Sequence, residues 1–205
     1  MKKPRTQRTV PTPPMQPRYP LIDALRGGAV LLMIIYHFCY DLVFLRVQYF
    51  DLTHHPFWLG FRYLILTLFL GLVGFSLALA TQQGIDYKKF SLRLAWLVSA
   101  ALLVTIASLW LFPQRFIFFG VLHFIALASI LGVLCVRYTW LNFWLGVGLL
   151  WLGASVQLRF FDQQPWQFFG LMTHKPATED YVPLLPWFGV VLLGIFMAPL
   201  SLAKA

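Results

Sequence analysis

The sequence predicts an all-α polytopic membrane protein, a bundle of about six transmembrane helices. Three observations predict it. Of 205 residues, 60% are hydrophobic and only 11% charged, far from the balance of soluble domains. The apolar residues gather into stretches near the roughly 20 residues that cross a bilayer. The basic residues concentrate in alternate connections, as expected of a chain threaded through a membrane.

Residues 1–18 form a basic, proline-rich tail in which "TPPMQPRYP" cannot continue a helix. Residues 19–205 form one transmembrane domain. Its spans are Leu21 to Leu45, Phe57 to Ala80, Leu92 to Phe112, Phe116 to Val136, Trp140 to Leu158 and Val182 to Leu202. The first is too long for a signal-peptide core and no small-residue cleavage pattern follows Cys39, so it is an uncleaved span. Small residues in the second (Gly60, Gly71, Gly74, Ser76) and fourth (Gly120, Ala126, Ala128, Gly132) are read as close helix packing. Connections are short except Arg159 to Tyr181, whose Trp166, Phe168 and Phe169 suit the membrane interface.

The formal net charge of +9 does not call for nucleic acid, because much of it lies in the tail beside the first hydrophobic helix, where it matches anionic lipid. With a cytoplasmic amino terminus, the tail, Lys88, Lys89, Arg93, Arg137 and Lys204 place ten basic residues inside. Arg46, Arg62, Arg115, Arg159 and Lys175 remain outside. The expected location is the plasma (inner) membrane. No metal is expected: Cys39 and Cys135 form no CxxC or Cys/His zinc pattern, and His54 and His55 read as solvated loop residues.

The first span keeps four ionisable residues. At about 100° per residue, with Asp23 at zero, Arg26 falls near 300°, His37 near 320° and Asp41 near zero, so one narrow face carries all four. An ionised group at mid-bilayer costs on the order of 3 kcal/mol, so the face points at protein or a wet cavity. Asp23 and Arg26 lie within two turns of the helix start, where a salt bridge or snorkelling explains them. His37 lies roughly 16 Å further along, too deep to snorkel. Asp41 follows at the spacing that lets helical side chains meet, which has the form of a general-base dyad; a neutral, hydrogen-bonded histidine is the plainer alternative.

His123 is expected about 10 Å deep in the fourth span, at the level of His37, so the two share a cavity on the outer side. Glu179 and Asp180 precede the sixth span, where acids favour a helix amino terminus and Pro183 suits a first turn. Pro186 and Gly189 allow a local break beside Trp187, exposing backbone donors to a ligand.

"YPLIDALRGGAVLLMIIYHFCYDL", "IFFGVLHFIALASIL" and "DYVPLLPWFGVVLLGIF" together resemble small bacterial membrane proteins related to the catalytic domain of heparan-alpha-glucosaminide N-acetyltransferase. Arg26 and His37 also match the arginine, ten residues, histidine spacing of the wider transmembrane acyltransferase group. The resemblance implies transfer of acetyl from cytoplasmic acetyl-CoA to an amine or hydroxyl of a glycan-like acceptor outside. It makes His37 the catalytic residue and Arg26, beside Asp23, the group holding the CoA end. On this reading Asp41 orients His37, His123 is a second acid/base or oxyanion donor, and Asp180 and Trp187 line the acceptor site. Many members continue into a further hydrophobic segment with another histidine, whereas this chain stops at Ala205, so the fold is expected to be incomplete or to close as a homodimer. Two rivals stand beside the enzyme: a proton-coupled transporter or flippase of an anionic solute or lipid, and a non-catalytic membrane assembly partner.

Overall fold

The computed structural model describes residues 19–82, 84–178 and 180–202. The tail 1–18, Glu179 and Lys204 lie outside the described residues.

The described residues form six α-helices and two short 3-10 turns, with no strand among them. Helix α1 is Pro20–Phe44, α2 Pro56–Thr81, α3 Tyr87–Leu111, α4 Val121–Cys135, α5 Thr139–Ser155 and α6 Leu184–Leu202. Proline at the first helical position starts α1 and α2, where its missing N–H is no loss, and the His55 ring accepts the Phe57 amide. Asp86 caps α3 by accepting from the Lys89 amide, 3.1 Å. Four helices, α1, α2, α3 and α6, are long and apolar enough to cross a membrane. The 15-residue α4 is a shorter apolar helix, and α5 has 17 residues.

Helix α6 is the axis of the bundle, packed between α2 and α5 and touching α4. Its apolar side chains Val191, Leu192, Ile195 and Ala198 are almost wholly buried with Leu70 of α2 and Phe124 of α4. Glycine makes this approach: a side chain on Gly74 would overlap the Val191 carbonyl, and one on Gly194 the Gly71 carbonyl. On the other flank Gly146 of α5 faces Gly189 backbone to backbone. The expected packing role holds for Gly71, Gly74 and Gly132, whereas Gly60 faces open space.

Helix α1 packs on α2 and α3 on α4, leaving outward faces that expose Ile34, Phe38, Trp96 and Trp110. Such continuous apolar surface belongs in lipid. One end of the bundle collects the α1–α2, α3–α4 and α5–α6 connections and is called the long-loop end below. There the 3-10 turns Arg159–Asp162 and Gln164–Phe169 occupy the long connection, which Asp162 ties together by accepting from the Thr173 amide and hydroxyl, both at 2.8 Å.

The predicted local break in α6 is present: Leu185, immediately before Pro186, has φ −104° and ψ 131°, outside helical values. Gly189 serves a different purpose from the one expected, since its missing side chain admits the α5 backbone.

Candidate active site

Helix α1 runs unbroken through Asp23, Arg26, His37 and Asp41, so the polar stripe is a real face. Near its start, Arg26 bonds Asp23 at 3.0 Å and the Ser76 hydroxyl of α2 at 2.5 Å. Ser76 in turn donates to the Leu72 carbonyl. The guanidinium is 47% exposed and the Asp23 carboxylate 59%, so this pair is open to its surroundings while pinned to α2. Two of the five guanidinium N–H groups are engaged by these bonds.

Deeper along α1, His37 bonds the Met33 carbonyl at 2.8 Å through Nδ1. A carbonyl only accepts, so Nδ1 carries the proton and Nε2 is left as the lone-pair nitrogen. The expected partner of Nδ1 was Asp41. At the same i, i+4 distance in the opposite direction the backbone carbonyl of Met33 takes its place, and Asp41 remains exposed near the helix end.

Asp180 stands beside the start of α4, and its role differs from the capping of the sixth helix that its position suggested. Its Oδ2 accepts the amide of Val121, 59 residues away in sequence, at 2.8 Å, capping α4. Gly120 is required beside it, because a side chain there would overlap the carboxylate. Burial pushes the Asp180 carboxyl above the usual carboxylate range, against the opposing pull of the Val121 amide.

His123 is placed differently from the expectation. Helix α4 begins at Val121 and not at Phe116, so His123 is its third residue, about 4 Å along the axis. Both ring nitrogens are occupied: Nδ1 accepts the Gly120 amide at 3.3 Å, and Nε2 meets the Thr105 hydroxyl at 3.1 Å. Thr105 donates its own proton to the Ile117 carbonyl at 2.8 Å, so Nε2–H must be the donor toward it. This wiring makes His123 a neutral ring that fastens the α3–α4 turn, with no free nitrogen for acid/base work.

Trp187 is 8% exposed and stacks on Tyr63 of α2, centroids 5.7 Å apart at 24°. It belongs to the core between α2 and α6, with little ring surface left for an acceptor. His54 and His55 are exposed loop residues as expected, His54 pairing with Asp51 at 3.2 Å. Among the described residues no three His, Cys, Asp or Glu side chains converge as a metal site requires.

Sequence reasoning passed over Thr105 and the Met33 carbonyl, and read Ser76 as a packing residue where its hydroxyl accepts from Arg26. The two hydroxyls carried a signal, being polar residues in apolar spans whose bonding capacity must be met there.

The family described as heparan-alpha-glucosaminide N-acetyltransferase, catalytic, matches residues 18–205. No curated protein and no solved structure matches the chain.

Proposed function

The chain belongs to the heparan-alpha-glucosaminide N-acetyltransferase catalytic family, a membrane acetyltransferase type, and from that premise we propose that it moves acetyl from acetyl-CoA to an amine or hydroxyl acceptor. The observation that carries the reading is the hydrogen bond of His37: Nδ1–H is held by the Met33 carbonyl, which leaves Nε2 as the lone-pair nitrogen on an exposed side chain of α1. A neutral imidazole with one nitrogen pinned is a general base.

In the step proposed, Nε2 takes the proton of the acceptor as its oxygen or nitrogen attacks the thioester carbonyl carbon. The tetrahedral adduct collapses, the carbon–sulfur bond breaks, and the leaving thiolate takes the proton back from Nε2. Asp180 stabilises the imidazolium that exists between the two transfers. Transient acetylation of Nε2 itself uses the same free nitrogen, and acid-quench trapping with labelled acetyl-CoA separates the two routes.

Arg26 would hold a phosphate or pantetheine oxygen of the donor with its unused N–H groups. A donor extended along α1 would cover the roughly 16 Å between Arg26 and His37. The charge distribution supports an arrangement in which the Arg26 end faces the cytoplasm of the plasma membrane and the long-loop end faces outside. Labelling of Lys88 by an impermeant reagent added outside would overturn that orientation.

Calorimetry of acetyl-CoA binding to the purified full chain tests the donor site. Wild type should bind and Arg26→Gln should bind at least tenfold more weakly with the bundle still folded. Absence of binding by folded wild type would sink the donor assignment and favour the transporter reading.

A further inference from the structure

Beside the site, between the start of α4 and the long loop, lies a groove of about 560 Å³ lined by Phe118, Phe119, Leu127, Gln164, Pro165 and Phe168. Its volume is that of a small-molecule site. The lining is graded. Leu127 is six residues into α4, about 9 Å below its start, whereas Gln164 supplies the polar side chain at the loop end. The surrounding loop exposes Phe160 and Trp166, rings suited to headgroup level.

The groove is packed against the α4 start and the segment that carries Asp180. Phe119 lies 6.1 Å from the His123 ring and 5.6 Å from Phe168, and its carbonyl accepts the Val182 amide. Phe118 lies 6.1 Å from Tyr181, the residue after Asp180. Five of the six lining residues are apolar and Gln164 stands at the loop end, a gradient that matches an acyl chain below a polar headgroup better than a soluble sugar.

We propose that this groove binds the apolar tail of a lipid-borne acceptor taken from the leaflet at the long-loop end, and that the acceptor's headgroup hydroxyl or amine reaches His37 and Asp180. The inference rests on the acetyltransferase reading and names its acceptor class. Acetyl is then delivered to a membrane lipid carrying a polar nucleophile, which enters sideways from the bilayer.

The test uses the full chain in nanodiscs containing a phosphatidylethanolamine with a photoactivatable group in its tail. Crosslinks should concentrate on 118–127 and 164–168, exceed those to the lipid-facing α3 residues Trp96 and Trp110, and fall at least fivefold in Leu127→Trp. Gln164→Trp, which blocks the mouth from an exposed loop position, should reproduce the loss if Leu127→Trp fails to fold. Crosslinking no greater than at α3 would overturn the site. With labelled acetyl-CoA and lipid extracted from the expression host's membranes, the label should enter the organic phase. Label confined to water-soluble product would overturn the lipid acceptor while leaving acetyl transfer intact. Specific crosslinks without thiol release would keep the tail site and sink the transfer reading.

Discussion

At the residue scale, the chemistry rests on a contrast between two histidines. His37 has one nitrogen engaged by a backbone carbonyl and the other left as the lone-pair nitrogen; His123 has both engaged. His37→Gln should therefore lower acetyl transfer about 10²- to 10⁴-fold, the worth of a general base, without moving the thermal midpoint in detergent. His123→Ala should instead cost stability, about 1–3 kcal/mol for the polar groups it strands, read as a lower midpoint. Asp180→Asn keeps an acceptor for the Val121 amide but removes the charge. Because burial raises the wild-type carboxyl above its ordinary value, the folded state holds that proton more tightly than the unfolded one. Its cost to stability is thus complete above the folded pKa and relieved as pH falls toward the ordinary value. The variant should melt above wild type at pH 8, with the difference shrinking toward pH 4 in a pH series of midpoints. The stripe on α1 was legible because 3.6-residue periodicity is all it needed. Met33 was not, because a backbone carbonyl competes for an imidazole without leaving any mark in residue type.

Elements follow the same logic, since the apolar spans were readable but their polar ends depended on tertiary partners. Predicted and observed limits of α1 and α2 agree within one residue, where apolar runs and proline starts coincide. Helix α4 starts five residues later than its apolar run, at Val121, because segment 116–120 is claimed by α3 and by the long loop. Ser108 accepts the Ile117 amide, Thr105 donates to the Ile117 carbonyl, and Thr178 donates to the Phe116 carbonyl. Gly120 within the run was a usable start signal, whereas the distant carboxylate that completes the cap was not. The α2–α6 contact carries its own prediction. Gly74→Val drives a side chain into the Val191 carbonyl and should cost about 1–3 kcal/mol, or abolish folding, by thermal unfolding in detergent. Gly60→Val, with open space around it, should change the midpoint by much less.

For the whole molecule, α6 with α2, α4 and α5 forms a packed centre, and α1 lies at the periphery against α2 with Asp23, Arg26, His37 and Asp41 all exposed. This architecture separates an open Arg26–Asp23 pair near the start of α1 from His37 further along the same helix. Two chemistries at two depths suit a donor and an acceptor that arrive from opposite sides. The composition foretold the membrane class and the resemblance foretold the family, but the capping of α4 by Asp180, 59 residues away, is a long-range event that residue patterns do not encode. The most direct measurement is release of free thiol from acetyl-CoA by the full chain reconstituted in lipid from the expression host, comparing wild type with His37→Gln at matched folding. Thiol release by wild type that falls at least a hundredfold in His37→Gln is the predicted result. Equal release by the two proteins would contradict the assignment of His37 as the base.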